Sequence, residues 1–168
     1  MLKTIGLLLL FAVCVSTGFL KADELKTKTQ TLYQCLIFLK QLSIQLQTRQ
    51  MPPGQIIQLL CSQTAFEKNC LVQSLACHFK NSASFARNMR LTVADCPELK
   101  ACGAEEVLLG LGDIIGSRSL EEQLSAIDSA QQLIEQYLSL AEEVLHNEGM
   151  LYRRMGILTG LMVIVLFL

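Results

Sequence analysis

Two apolar runs constrain this chain more than any other feature. Residues 5–20, IGLLLLFAVCVSTGFL, and residues 155–168, MGILTGLMVIVLFL, hold no charged side chain, and each meets charge abruptly, at Lys21 in one case and at Arg153 and Arg154 in the other. A soluble domain would have to hide such runs in its core, whereas lipid accommodates them directly. As helices they measure roughly 24 and 21 Å at about 1.5 Å per residue, short of a hydrocarbon core of about 30 Å; snorkelling flanks or local thinning make up the difference. The pattern predicts a transmembrane helix over 1–20, a domain over 21–154 and a second transmembrane helix over 155–168. Tyr152, Arg153 and Arg154 fall at the membrane border.

The border charges orient this arrangement. Lys21, Lys26, Lys28, Arg153 and Arg154 stand on the domain side, against Lys3 on the other. Positive residues stay in the cytoplasm, so the expectation is a cytoplasmic domain hung from a two-helix hairpin. Gly156 and Gly160 form a G-x-x-x-G face able to pack closely on Ala12 and Ser16 of the first span. The competing reading takes Lys3, IGLLLLFAVCV and STG as a cleaved signal peptide. That would leave a C-terminally anchored extracytoplasmic binding or regulatory module.

Composition agrees with a division into ends and middle. The chain is 51% hydrophobic with a mean hydropathy of +0.40, and most of the excess lies at the two ends. The middle has the length of one ordinary domain with one core. A net charge of -1 lacks the basic footprint of a nucleic-acid binder. The charges are nonetheless segregated. Lys40, Arg49, Lys68, Lys80, Arg87, Arg90 and Lys100 dominate the first part, while beyond Gly103 ten acidic residues from Glu105 to Glu148 face only Arg118 before the border pair. Either the two surfaces attract each other across the fold, or the acidic part is a docking face for a basic partner.

The middle reads as helical throughout. Leu25, Leu32, Leu36, Leu39, Leu42 and Leu46 recur at helical spacing and predict a helix over about 23–50. MPPG ends it, and Pro53 opens the next, GQIIQLLC. A third helix is expected over roughly 66–85, and RLTVADCPELKAC reads as the longest loop. GAEEVLLGLGDII is a helix whose Gly110 and Gly112 suit close packing. Gly116 closes it in a left-handed conformation, and Ser119 with Glu122 forms an S-x-x-E capping box that opens a last helix from Leu120 to about His146. Its stripe is Leu124, Ile127, Leu133 or Ile134, Leu138, Ala141 and Leu145. No stretch alternates as a strand does. The expected fold is all-α, a helical bundle of about five to six helices between N- and C-terminal transmembrane helices.

Chemistry-bearing motifs are few. Seven cysteines, an odd number with Cys14 inside the first apolar run, do not read as a disulfide framework, and no C-x-x-C occurs. Cys70 and Cys77 lie a heptad apart, and Cys35 and Cys61 sit among leucines as small apolar residues do. His78 beside Cys77 diverges from it by about 100° on a helix, so the two do not form a metal pair. Glu105 with Glu106, and Glu121 with Glu122, stand near helix starts where acids favour the macrodipole. Neither a phosphate loop nor a nucleophile elbow nor a dinucleotide fingerprint is present. The expectation is a protein that is not an enzyme and has no cofactor, no metal and no small-molecule substrate.

Taken in order, the short first span, the long helix, PPGQIIQLL, LLGLGDIIGSRSLEEQL and GMLYRRMGILTGLMVIVLFL resemble stage III sporulation protein AB of endospore-forming bacteria over nearly the whole chain. Leu111, Gly112, Gly116, Glu121 and Gln123 match the family pattern in the second half, and Leu151, Tyr152, Arg153, Gly156 and Gly160 match its end. Where the family commonly has Ser-Asp, this chain has Arg118 and Ser119, which keeps the helix cap but not the aspartate. The resemblance implies a membrane-anchored component of the channel joining mother cell and forespore, similar to the platform proteins of type II secretion and type IV pilus machines. It also implies a location in the cell membrane on the mother-cell side. The implied partners are an ATPase of the stage III sporulation protein AA type, other channel components and the bilayer. The corner formed by Arg118, Glu121, Glu122 and Gln123 is the candidate docking face, because a basic partner surface could be steered to it.

Overall fold

In the computed structural model the backbone is described for residues 2–49, 51–63, 66, 69–79 and 84–167; within its helices the side chains of 2–15, 18–19, 49, 148–154, 156–157, 159–161 and 163–167 lie outside the description. Among the described residues every regular element is a helix: α1 (Leu2–Arg49), α2 (Pro53–Cys61), α3 (Cys70–Phe79), α4 (Phe85–Asp95), α5 (Pro97–Ala101), α6 (Glu105–Ile114) and α7 (Leu120–Phe167). The chain divides into two units, residues 30–138, and residues 1–29 with 139–168.

Leucine spacing builds the centre of the 30–138 unit. Leu32, Leu36, Leu39, Leu42 and Leu46 are all buried on one side of α1, joined there by Cys35 and Phe38. The stripe is the predicted one except at Leu25, which is only half-buried, but the helix is longer. It runs from Leu2 without interruption because KADELK supplies good helix formers and neither glycine nor proline. Thr27 and Thr29 donate their hydroxyls back to the carbonyls of Asp23 and Leu25, which removes their usual competition with the helix. The last helix likewise continues past His146 to Phe167. Pro53 stands at the first position of α2, where its missing N–H costs nothing. In α7 the inward residue is Ile134, not the partly exposed Leu133.

RLTVADCPELKAC is not a loop. It holds the end of α4 and all of α5; within the predicted helix over 66–85 the described residues form α3, with α4 starting at Phe85, and residues 67–68 and 80–83 lie outside the described ones. Ser84 caps α4 by accepting from the Arg87 N–H. The inward positions of α4 are Phe85, Asn88, Met89, Thr92 and Val93, which is helical spacing with two polar members, so apolar periodicity alone does not reveal it. Asn88 and Thr92 are both wholly buried. Pro97 starts α5, Leu99 fills its inner side, and Gly103 at φ 78° turns the chain toward α6.

Helix α4 packs on α3 and α6, and α2 packs on α3. The α4–α6 contact depends on Gly112, where a Cβ would lie 3.0 Å from Met89 Cβ and 3.2 Å from its Cγ. Gly110, on the outer side, has nothing within 4 Å. Cys70, at the start of α3, is disulfide-bonded to Cys96 at the α4–α5 junction, 26 residues away. The odd cysteine count does not announce this single bond, and the reason is tertiary: only the packing of α3 on α4 brings these two together. Cys35 behaves as expected, buried among leucines, and burial followed by the neighbouring Cys102 pushes its thiol up to about 12.

In the second unit, Leu140, Val144, Met155, Leu158 and Met162 are exposed on α7. At about 100° per residue they fall within roughly 60° of one another, on one side of the helix. Among the described residues, no helix is long and apolar enough to cross a membrane. The spans predicted over 1–20 and 155–168 consist mostly of side chains outside the described ones.

Three outcomes follow. Gly112→Ala is expected to cost about 1–3 kcal/mol by overpacking, whereas Gly110→Ala stabilises by up to about 1 kcal/mol; urea melts followed by helical circular dichroism distinguish the signs. Cys70→Ala without reductant loses about 2–4 kcal/mol, the usual effect of opening a loop of this size, and loses nothing further with reductant present. Mild alkylation of the native chain at neutral pH modifies exposed Cys77 and spares Cys35, read by peptide mass.

Candidate functional site

The corner between α6 and α7 is built by local bonds. Helix α6 ends as the Ile115 N–H reaches the Leu111 carbonyl, and Ser117 both donates its hydroxyl to Asp113 O at 2.7 Å and its N–H to Ile114 O. Gly116 then takes φ +81°, the left-handed state that a side chain would strain. Ser119 caps α7: its hydroxyl accepts the Glu122 N–H at 3.4 Å and its carbonyl accepts the Gln123 N–H at 3.0 Å. The serine half of the predicted capping box is thus formed. The Glu122 carboxylate turns instead to the Arg118 guanidinium, 3.7 Å away, and the Gln123 side-chain amide donates to Arg118 O at 2.7 Å.

Three of the four predicted docking residues therefore hold one another. Arg118 and Glu122 neutralise each other, and Gln123 pins the turn. Glu121 is exposed and, among the described residues, makes no ion pair. At the corner opens a depression of about 390 Å³ lined by Leu46, Met51, Pro53, Gly116, Leu120 and Gln123; Glu121 is not part of its lining. Sequence reasoning did not find this depression, although MPPG and the exposed Leu120 at the first position of α7 were its signals.

The segregated charges find a use within the fold. Lys40 pairs with Glu135 at 2.9 Å, Arg90 with Asp113 at 3.0 Å and Lys100 with Glu105 at 3.8 Å, each joining the basic first part to the acidic second. All are well exposed, so each contributes about 0–1 kcal/mol. Glu106, Glu121, Glu142 and Glu143 remain exposed on the acidic side.

A Ser–His–Asp trio occurs on α3 and α4, but its order is wrong for nucleophilic catalysis. Asp95 Oδ2 receives both the Ser74 hydroxyl at 3.3 Å and His78 Nε2 at 2.7 Å. In a working triad the histidine stands between the other two and takes the serine proton; here the aspartate stands between, fastening α3 to the end of α4. Among the described residues no cluster of three His, Cys, Asp or Glu could hold a metal ion. Of the predicted membrane residues, Ser16 is exposed, and the side chains of Ala12, Tyr152, Arg153, Arg154, Gly156 and Gly160 lie outside the described ones.

With this geometry in place, comparison with known families is decisive. Residues 3–168 match the family described as stage III sporulation protein AB. The chain belongs to the stage III sporulation protein AB family. No curated protein and no solved structure matches it. Membership supports a role in sporulation. The stage III sporulation protein AB residues singled out from the second half, Leu111, Gly112, Gly116, Glu121 and Gln123, all lie at or beside the α6–α7 corner.

Replacing the cap by Ser119→Ala is expected to cost about 1 kcal/mol. Gly116→Ala costs about 1–2 kcal/mol from the left-handed backbone alone. Both appear as lowered melting midpoints, and a double variant should be less than additive because the two residues shape one turn.

Proposed function

We propose that this protein is a membrane-anchored, non-enzymatic component of the channel complex between mother cell and forespore, and that it docks a cytoplasmic secretion-type ATPase to the membrane machinery. The observation that carries this reading is the family match over residues 3–168. It is supported by a capped, internally braced corner at Arg118–Gln123, and by an apolar face on α7 whose Met155, Leu158 and Met162 are exposed. In this reading both termini sit in the bilayer, and two anchors hold the docking corner at a fixed height and restrict its rotation. Such an adaptor needs shape and charge rather than a reacting group.

A second reading draws on one specific observation. The Cys70–Cys96 disulfide is of a kind that persists in oxidising compartments, which favours a C-terminally anchored extracytoplasmic binding module with a cleaved leader. N-terminal sequencing of the mature chain separates the two, since a cleaved chain loses the first span.

The adaptor reading predicts that the full chain in vesicles captures the stage III sporulation protein AA-type ATPase in a pull-down and alters its turnover. Charge reversal of Glu121 and Glu122 together abolishes capture. No capture at low salt with any nucleotide rejects the reading. Leucine at both Gly156 and Gly160 should weaken crosslinking between the two terminal segments; unchanged crosslinking rejects their packing on Ala12 and Ser16.

A further inference from the structure

The Cys70–Cys96 disulfide has other sulfurs as neighbours within the 30–138 unit. It borders a cavity of about 10 Å³, near the smallest volume that admits one water. Cys35 of α1 lines that same cavity together with Cys70 and Cys96 themselves. Two polar contacts hold the segments carrying the disulfide against α1 at this level: the Asn69 side-chain amide donates to the Gln34 carbonyl at 3.4 Å, and the Thr31 hydroxyl donates to Glu98 at 3.5 Å. Cys102, in the turn between α5 and α6, is partly exposed and donates its thiol to the Leu99 carbonyl at 3.3 Å. It lies close enough to Cys35 to add to the burial that raises the Cys35 thiol.

Packing alone does not call for this composition. Cys35 is 1% exposed, a place that any small apolar side chain fills, whereas a thiol there sets a nucleophile beside an S–S bond. Four sulfurs therefore stand as one bond and two thiols around a single part of the core.

We propose that Cys35, Cys70, Cys96 and Cys102 form one exchange unit, in which the crosslink passes from Cys70–Cys96 to Cys35–Cys102. In the first step the Cys35 thiolate attacks Sγ of Cys70 or Cys96, bonds to it and expels the other sulfur as a thiolate. In the second, the Cys102 thiolate attacks Cys35 Sγ of that mixed disulfide and expels the remaining sulfur. The protons given up by Cys35 and Cys102 end on Cys70 and Cys96. One disulfide and two thiols stand on each side, so no oxidant or reductant is consumed.

The consequence is mechanical. The first pairing fastens α3 to the α4–α5 junction, whereas the second releases α3 there and fastens α1 to the α5–α6 turn. Ser74 and His78 still bond Asp95, so α3 remains on α4 through hydrogen bonds and packing. Burial sets the pace. With the Cys35 thiol pushed up to about 12, only about one molecule in 100,000 carries its thiolate at pH 7. Exchange is slow in the closed fold and steepens with pH. Among the described residues lining the cavity only Glu98 is charged, and Cys102 is the further titratable group beside Cys35.

The test uses the full disulfide-bonded chain, free of oxygen, metal ions and added thiol, incubated between about pH 7 and 9, quenched in acid and mapped by non-reducing peptide mass. A peptide pair joined through Cys35 and Cys102 is expected to grow as the Cys70–Cys96 pair declines, about tenfold faster per pH unit. Cys102→Ser should halt the process at a mixed disulfide of Cys35 with Cys70 or Cys96; this position is partly exposed, so the variant keeps its core even where Cys35→Ala fails to fold. Folded Cys35→Ala should retain Cys70–Cys96 unchanged. Persistence of Cys70–Cys96 alone in the wild-type chain across this range overturns the proposal and leaves Cys35 a packing residue. Undiminished exchange in Cys35→Ala overturns it as well. Crosslinks through Cys61 or Cys77 in comparable yield also overturn it, because they mark exchange in an opened chain.

Discussion

Burial of the α1 leucine stripe is the interaction on which the rest of the 30–138 unit depends. Leu32, Leu36, Leu39, Leu42 and Leu46 lose nearly all contact with water, and each fully buried leucine contributes about 1.5–3 kcal/mol. Short helices such as α2, α3 and α5 are too brief to be stable alone. They persist because they cover apolar surface, and they fit because particular positions allow it. Gly112 admits Met89 at van der Waals limits, Pro53 starts α2 without wasting a donor, and Gly103 and Gly116 turn the chain where a side chain would resist. The disulfide then fixes α3 to the α4–α5 junction.

This arrangement gives the proposed docking corner a rigid frame. The turn from α6 to α7 is braced by hydrogen bonds at Ser117, Ser119 and Gln123 and is backed by the end of the same leucine stripe, since Leu46 lines the adjoining depression. A surface of this kind loses little freedom when it binds, so more of the contact energy remains as affinity. Part of the acidic excess is spent internally, as the reading of two surfaces attracting each other across the fold expects: Lys40–Glu135, Arg90–Asp113 and Lys100–Glu105. What is left at the corner is chiefly Glu121.

Sequence alone was enough wherever one residue type dictates one conformation. The α1 stripe, the stop at MPPG, the left-handed Gly116 and the Ser119 cap all follow from local rules and all appear in the structure. It failed where inward positions are polar or where partners are distant. Asn88 and Thr92 hid α4 inside an apparent loop, and Cys70 with Cys96 carried no spacing signature because their pairing is made by helix packing. The uninterrupted α1 and α7 were missed because helix boundaries were placed where polarity changes, although nothing there breaks a helix. The α6–α7 corner was legible as a cap, while the depression beside it was not, because Leu46 and Pro53 come together with Leu120 only in the folded chain.

Sidedness is the most direct test of the central claim that the 30–138 unit faces a cytoplasmic ATPase. Cys77 is exposed on that unit and can be labelled with a membrane-impermeant maleimide in intact sporulating cells and again after permeabilisation. The account predicts labelling of Cys77 only after permeabilisation. Labelling in intact cells would contradict it and assign the domain to the outer side, where the Cys70–Cys96 disulfide would be at home.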